Sequence, residues 1–254
     1  VQPAYFIAHG SPMLALEDDP YTRFVCDLGR TLRPRAAVVF SAHWESPVQR
    51  VSDVEHYGTM HDFGGFPRAL YQVTYPAKGD QALARRIRQA LPEAQPDGGR
   101  GLDHGAWMVL RMLFPEANVP VVAMSVNPDA SPQEQYEVGA ALADLRRDDV
   151  LIIASGGTVH NFSTMRLQGG ETDPWAVAFD DWVLEQAKGW DLNALFDYEY
   201  RAPHARLAVP ANGKEHFIPL FYAMGAADDQ RTARELHRSY SYGNLSHAVW
   251  QFGG

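Results

Sequence analysis

The chain has 254 residues, 46% of them apolar and 21% charged, which is enough to bury a large core in one α/β domain. Acidic residues outnumber basic ones 31 to 22, for a formal net charge of -9, and no Lys/Arg cluster offsets this, so a nucleic-acid partner is excluded. One cysteine, Cys26, rules out an intrachain disulfide and a thiolate metal site. No signal-peptide pattern and no long apolar run is present, so the expectation is a cytoplasmic protein without a membrane partner.

Short apolar runs rich in Val and Ile predict buried strands, and patterns with helical spacing separate them. In chain order, Tyr5 to Ala8 and Ala36 to Ala42 read as strands, and Arg50 to Tyr57 as a further extended piece. Asp80 to Leu91 and Ala106 to Phe114 read as helices, Val119 to Val126 as a strand, and Pro132 to Leu145 as a helix. Val150 to Ala154 is the next strand and Trp175 to Lys188 the next helix. A late pair, His237 to Tyr242 and His247 to Phe252, is expected at an edge or antiparallel. Strands alternating with helices imply an α/β fold, a central mostly parallel sheet flanked by helices. No repeat, composition shift or low-complexity tract divides the chain, so residues 1–254 are expected to form a single domain.

Three of the strands run toward a histidine and a turn: Phe6 into His9-Gly10, Val38 into His43-Trp44, and Leu151 into His160-Asn161. Open parallel sheets place ligands outside the carboxyl ends of their strands, so these distant histidines are expected to converge. His216, with Glu215 beside it and Pro219 just beyond, reads as the start of a helix. His104 follows Asp103, itself a natural helix N-cap. Each of these five rings is a candidate ligand, proton carrier or satisfied structural group. His61 sits in a loop whose aromatic and glycine content suits a pocket rim, whereas His56, His204, His237 and His247 carry weaker signals. Ten histidines against one cysteine favour imidazole chemistry, and an imidazole site with open positions suits catalytic zinc or ferrous iron alike. Dinucleotide, phosphate-loop, His-Glu-x-x-His and Gly-x-Ser-x-Gly signatures are all missing.

The segments Ala8-His9-Gly10-Ser11-Pro12-Met13, Ser41-Ala42-His43-Trp44, His61-Asp62-Phe63-Gly64-Gly65-Phe66-Pro67, Asp103-His104-Gly105-Ala106-Trp107, Gly157-Thr158-Val159-His160-Asn161 and Glu215-His216-Phe217-Ile218-Pro219-Leu220 occur in this order. Together with Leu70 to Pro76 and Gly243-Asn244-Leu245-Ser246, they resemble the DOPA-dioxygenase type of class III extradiol ring-cleavage dioxygenases. These enzymes are relatives of the protocatechuate 4,5-dioxygenase catalytic subunit, and the likeness runs from about residue 5 to the end of the chain.

The resemblance implies a single α/β domain and a non-haem Fe(II) centre held by His9, His43 and His216. It further implies that His160 is the catalytic acid/base, for which an ordinary imidazole pKa near neutrality suits both directions of transfer. His104 becomes a second catalytic histidine beside the substrate hydroxyls. The implied partners are a catechol and dioxygen, the product a hydroxymuconic semialdehyde, and the assembly a monomer or homodimer. Isolated protein is expected to accept Zn(II) in place of labile Fe(II). The alternative is a zinc-dependent hydrolase or lyase on the same scaffold. Ala211-Asn-Gly-Lys214 departs from the Thr-Pro pair that many relatives carry near the third ligand, which leaves the choice of catechol open. Arg68 and Lys214 are candidate partners for a substrate carboxylate.

Overall fold

The computed structural model describes residues 1–254. Its centre is an eight-stranded sheet made of β1 (Ala4–Ala8), β2 (Ala36–Glu45), β3 (Arg50–Ser52), β4 (Gln95–Asp97), β5 (Val121–Val126), β6 (Val150–Gly156), β7 (Ala233–Ser241) and β8 (Leu245–Phe252). The spatial order is β4-β3-β5-β2-β6-β1-β8-β7. β5, β2, β6 and β1 run parallel, while β8 returns antiparallel to β1 and β7 antiparallel to β8.

The Val/Ile runs form strands because the pleat sends alternate side chains into two separate cores. Ala36, Val38 and Phe40 of β2 enter one core with Val150, Ile152 and Ala154 of β6. Ala37 and Val39 enter the other with Leu151 and Ile153. Helices α1 (Pro20–Thr31), α2 (Gln81–Ala90), α3 (His104–Leu113), α4 (Pro132–Ala140) and α5 (Pro174–Gly189) follow in the chain. The short α6 (Leu192–Phe196), α7 (Tyr198–Arg201) and α8 (Ala205–Ala208) precede α9 (Pro219–Ala226). Tyr21 and Val25 of α1 pack with Trp107 and Leu110 of α3 on one face of the sheet. Tyr136 of α4, Phe179 of α5 and Phe221 of α9 cover the other. The expected central, mostly parallel sheet flanked by helices is the one found.

Several local expectations need correction. The helix expected over Pro132 to Leu145 ends at Ala140, and a 3₁₀ segment, Ala143–Asp148, takes the chain into β6. Arg50 to Tyr57 is strand only as far as Ser52. The late pair is antiparallel as expected, with β7 at the edge and β8 inside it. α1 escaped the hydrophobic pattern although its start is well marked. Asp19 accepts from the Thr22 backbone N–H, Thr22 returns a bond to Asp19, and Pro20 occupies the first helical position. No helix is long and apolar enough to cross a membrane.

Candidate metal centre

β1, β2 and β6 lie side by side, so their carboxyl ends open onto one spot of the molecule. His9 follows β1 directly, and its backbone N–H donates to Gly156 O of β6 at 3.1 Å. His43 lies inside β2 rather than beyond it, since the strand continues to Glu45 through an irregular register after Phe40. His216 lies in a short 3₁₀ turn, Lys214–His216, ahead of α9, and not in the helix itself. Pro219 opens α9 at its first position, as the sequence suggests. The turn is fixed to β6 by the Gly157 N–H, which donates to His216 O at 2.7 Å.

Hydrogen bonds determine which nitrogen of His9 and of His216 is free. Ser155 Oγ donates to Gly105 O at 2.6 Å, so it accepts from His9 Nδ1 at 3.1 Å. That leaves the His9 Nε2 lone pair facing His43 Nε2, 3.0 Å away. Two nitrogens bound about 2.1 Å from one ion at right angles lie about 3 Å apart. His216 Nδ1 donates to Glu215 Oε1 at 2.9 Å, and its buried Nε2 has no partner at all. One ring nitrogen each from His9, His43 and His216 fall within 4.8 Å of one another.

Burial drives the His9 and His216 pKa values well below the ordinary imidazole range, with neighbouring rings adding to the effect. Burial first and then His104 push His43 down to about 3, against a smaller opposing pull from Asp62. All three rings are therefore neutral lone-pair donors at physiological pH, the form that ligates a metal. Three convergent neutral imidazoles, one with an orphaned buried nitrogen, fit a divalent ion. Ser155 and Glu215 lock the ring orientations from behind, as carboxylates and hydroxyls do in metal sites.

His160 stacks flat on His216, with ring centroids 3.6 Å apart and planes within 4°. Its backbone N–H donates to Ala208 O of α8 at 3.1 Å. Burial lowers its pKa to about 4, below the near-neutral value expected from sequence, so the resting ring is neutral. His104 opens α3 with its ring centroid 3.9 Å from that of His43. Asp62 receives both its backbone N–H at 2.8 Å and its Nδ1 at 3.0 Å. Burial opposes the Asp62 charge, but the contacts with His104 prevail and hold its pKa at about 2.

The structure thus brings His9, His43, His104, His160 and His216 together. The other five histidines lie elsewhere. His61 donates through Nε2 to Val73 O at 2.9 Å, among Phe63, Tyr71 and Trp107. His237 and His247 flank Tyr21, with centroids 5.4 and 4.7 Å from its ring. His56 and His204 are exposed. Beside the cluster lies a cavity of about 720 Å³ whose lining includes His43, Glu45, His160, Phe162, Arg206 and His216. Sequence reading missed Asp62 as the His104 partner, Ser155 as the His9 partner, and both Glu45 and Arg206. For Asp62 the only available signal was its place in the loop already marked as a pocket rim.

Residues 3–250 match the family model described as the catalytic LigB subunit of aromatic ring-opening dioxygenase. The chain belongs to this family. Within it, the chain is 37% identical to a protein of Beta vulgaris named 4,5-DOPA dioxygenase extradiol, over 99% of this chain and 97% of that one. It is 38% identical to a protein of the same name from Escherichia coli K12, over 99% of this chain and 94% of the relative. The crystal structure of an uncharacterized Escherichia coli K12 protein superposes over 100% of both chains with a TM-score of 0.84 at 33% identity. Membership in the ring-opening dioxygenase family agrees with the site: these enzymes bind a metal, and the convergent imidazoles form a place for one.

Proposed function

We propose that this protein is an Fe(II)-dependent extradiol dioxygenase that opens a DOPA-like catechol beside its two hydroxyls, with residues 1–254 acting as one catalytic domain. The observation that carries the reading is the convergence of three neutral imidazoles, one with an unpartnered buried Nε2, beside a cavity of about 720 Å³. The names of full-length relatives, 4,5-DOPA dioxygenase extradiol, supply the substrate class, DOPA. In this reading His9, His43 and His216 hold the iron. Bound iron would supply Lewis acidity and the electronic link between catechol and dioxygen.

The chain's own residues do the rest. His160, neutral and packed against His216, accepts a proton from one catechol hydroxyl and returns it later in the cycle. His104, held through Nδ1 by Asp62, has its other ring nitrogen free to hydrogen-bond the second hydroxyl. The buried surroundings of His9, His104 and His216 keep bulk water from the reacting groups. Both oxygen atoms stay in the product: the ring C–C bond next to the diol breaks, one carbon becoming a carboxylate and its neighbour an aldehyde. The product is a hydroxymuconic semialdehyde.

A zinc-dependent hydrolase or lyase is the second reading, because three neutral histidines also suit zinc. Anaerobic loading with Fe(II) or Zn(II), followed by oxygen uptake and visible absorbance with a catechol panel, separates the two. The dioxygenase reading expects oxygen consumption matched one-to-one to a yellow product with Fe(II) alone. Turnover that needs zinc and ignores oxygen would replace it with the second.

A further inference from the structure

We propose that Arg206 selects catechols whose side chain carries a carboxylate; this rests on the ring-opening reading and names the residue that sets its substrate class. Arg206 is the one Lys or Arg side chain lining the cavity beside the five-histidine cluster. It makes neither an ion pair nor a hydrogen bond, although acidic residues outnumber basic ones 31 to 22 in this chain. Lys214, in the adjoining recess, is already engaged by Glu199. Of the two carboxylate-binding candidates suggested by sequence, Lys214 is thus occupied and Arg68 lies outside the cavity lining.

The position of Arg206 is tied to the chemistry. It stands on α8, whose Ala208 O accepts from the His160 backbone N–H at 3.1 Å and whose Leu207 O accepts from Asn161 Nδ2 at 2.9 Å. The helix that carries the guanidinium is therefore fixed to the segment that carries His160. Two carboxylates, Glu45 and Glu215, line the same cavity. Their wall is shared with a recess formed by Asp129, Ala211 and Lys214, whereas the wall of Arg206 adjoins Tyr200, Ala205 and Glu199, the last of these paired with Lys214. Among the carboxylates and the guanidinium that line the cavity itself, the two signs of charge thus occupy different walls. A bound carboxylate is drawn to the α8 side, where a planar guanidinium can grip it through two N–H bonds, and is repelled from the Glu45 side. An ammonium on the same side chain would turn the other way. Without Arg206 an anionic side chain of the catechol meets two carboxylates and no Lys or Arg in the cavity lining.

The test compares the Fe(II)-loaded protein with Arg206→Ala and Arg206→Lys. The substrates are 3-(3,4-dihydroxyphenyl)propionate, 4-ethylcatechol and dopamine, read as kcat/KM. Anaerobic equilibrium dialysis of the same compounds supplies dissociation constants without turnover. Arg206 is solvent-exposed, so the ratio of acid to neutral catechol is expected to fall about fivefold in Arg206→Ala, in both kcat/KM and affinity. The ratio of amine to neutral catechol is expected to rise, and Arg206→Lys to recover part of the loss. An acid-to-neutral ratio that is the same in wild type and Arg206→Ala overturns the proposal while leaving ring opening intact. A parallel fall for all three catechols does the same, because it marks a structural role. If no catechol is opened, the ring-opening reading fails, and the dialysis ratios still decide whether Arg206 selects the carboxylate.

Discussion

Gly156 closes β6 at the point where the strand meets the turn carrying His216, and replacing it with alanine tests how that turn is held. A Cβ at Gly156 would stand 2.2 Å from His216 O and 3.0 Å from Pro219 Cγ. Carbon–oxygen contacts rarely close below about 3.3 Å, so the new methyl demands a displacement of about 1 Å. The His216 carbonyl cannot yield freely, because Gly157 N–H holds it at 2.7 Å and α9 begins three residues later. Gly156→Ala is therefore expected to cost about 1–3 kcal/mol in overpacking, and to weaken metal binding about 10- to 100-fold by misplacing one ligand. Zn(II) affinity by chelator competition and thermal unfolding read the two effects separately. Gly157→Ala is the matched control, since its Cβ would meet only His160 Cβ at 3.9 Å, and its stability should stay within about 0.5 kcal/mol of wild type. Wild-type zinc affinity and melting temperature in Gly156→Ala would refute the assignment of this glycine as the spacer that positions His216.

The ligand and proton-carrier roles separate in two variants: His9→Ala should lose metal and activity together, whereas His160→Phe should keep the metal and lose about 100-fold or more in turnover. Metal content measured beside rate checks this, and a metal-free His160→Phe would move His160 into the ligand set. Asp180, buried on α5, accepts from Ser246 Oγ at 2.6 Å and Tyr240 OH at 2.8 Å, yet burial raises its pKa. A raised folded-state pKa stabilises most below the unfolded carboxylate value of about 3.9, and that contribution disappears as pH rises through the folded value. The stability of wild type relative to Asp180→Asn should accordingly fall from pH 4 upward. Denaturant titrations at successive pH values measure the difference, and a flat or rising one contradicts the burial argument.

The parallel strands were legible because burial on both faces demands unbroken Val/Ile/Leu runs, such as Val38 to Phe40 and Leu151 to Ile153. β4 was not legible, since Gln95–Asp97 is strand only by pairing with β3 and carries no apolar pattern. β7 reads as mixed because it is an edge whose side chains are half-buried apart from the exposed Arg234. Within the site, His9, His43 and His160 were marked by their position at or near strand ends, a local signal. Their supports were not. His9 meets Ser155 across 146 residues of chain and His104 meets Asp62 across 42, contacts that no spacing rule encodes. Arg206 is one of 22 basic residues, and only the tertiary path of α8 distinguishes it.

The strand that delivers His9 has no sequence-local neighbour. β1 is flanked by β6, where Ala4 faces Ile152, and by β8, where Ala4 faces Phe252. Both pairings close very long loops, whose chain entropy must be lost before the contacts are made, so they are expected to form late in folding. An ion arriving at a partly organised chain therefore finds His9 without the strand that orients its ring. Tight metal capture is then expected only once the sheet is complete, and its rate during refolding would report when the last β1 pairing closes.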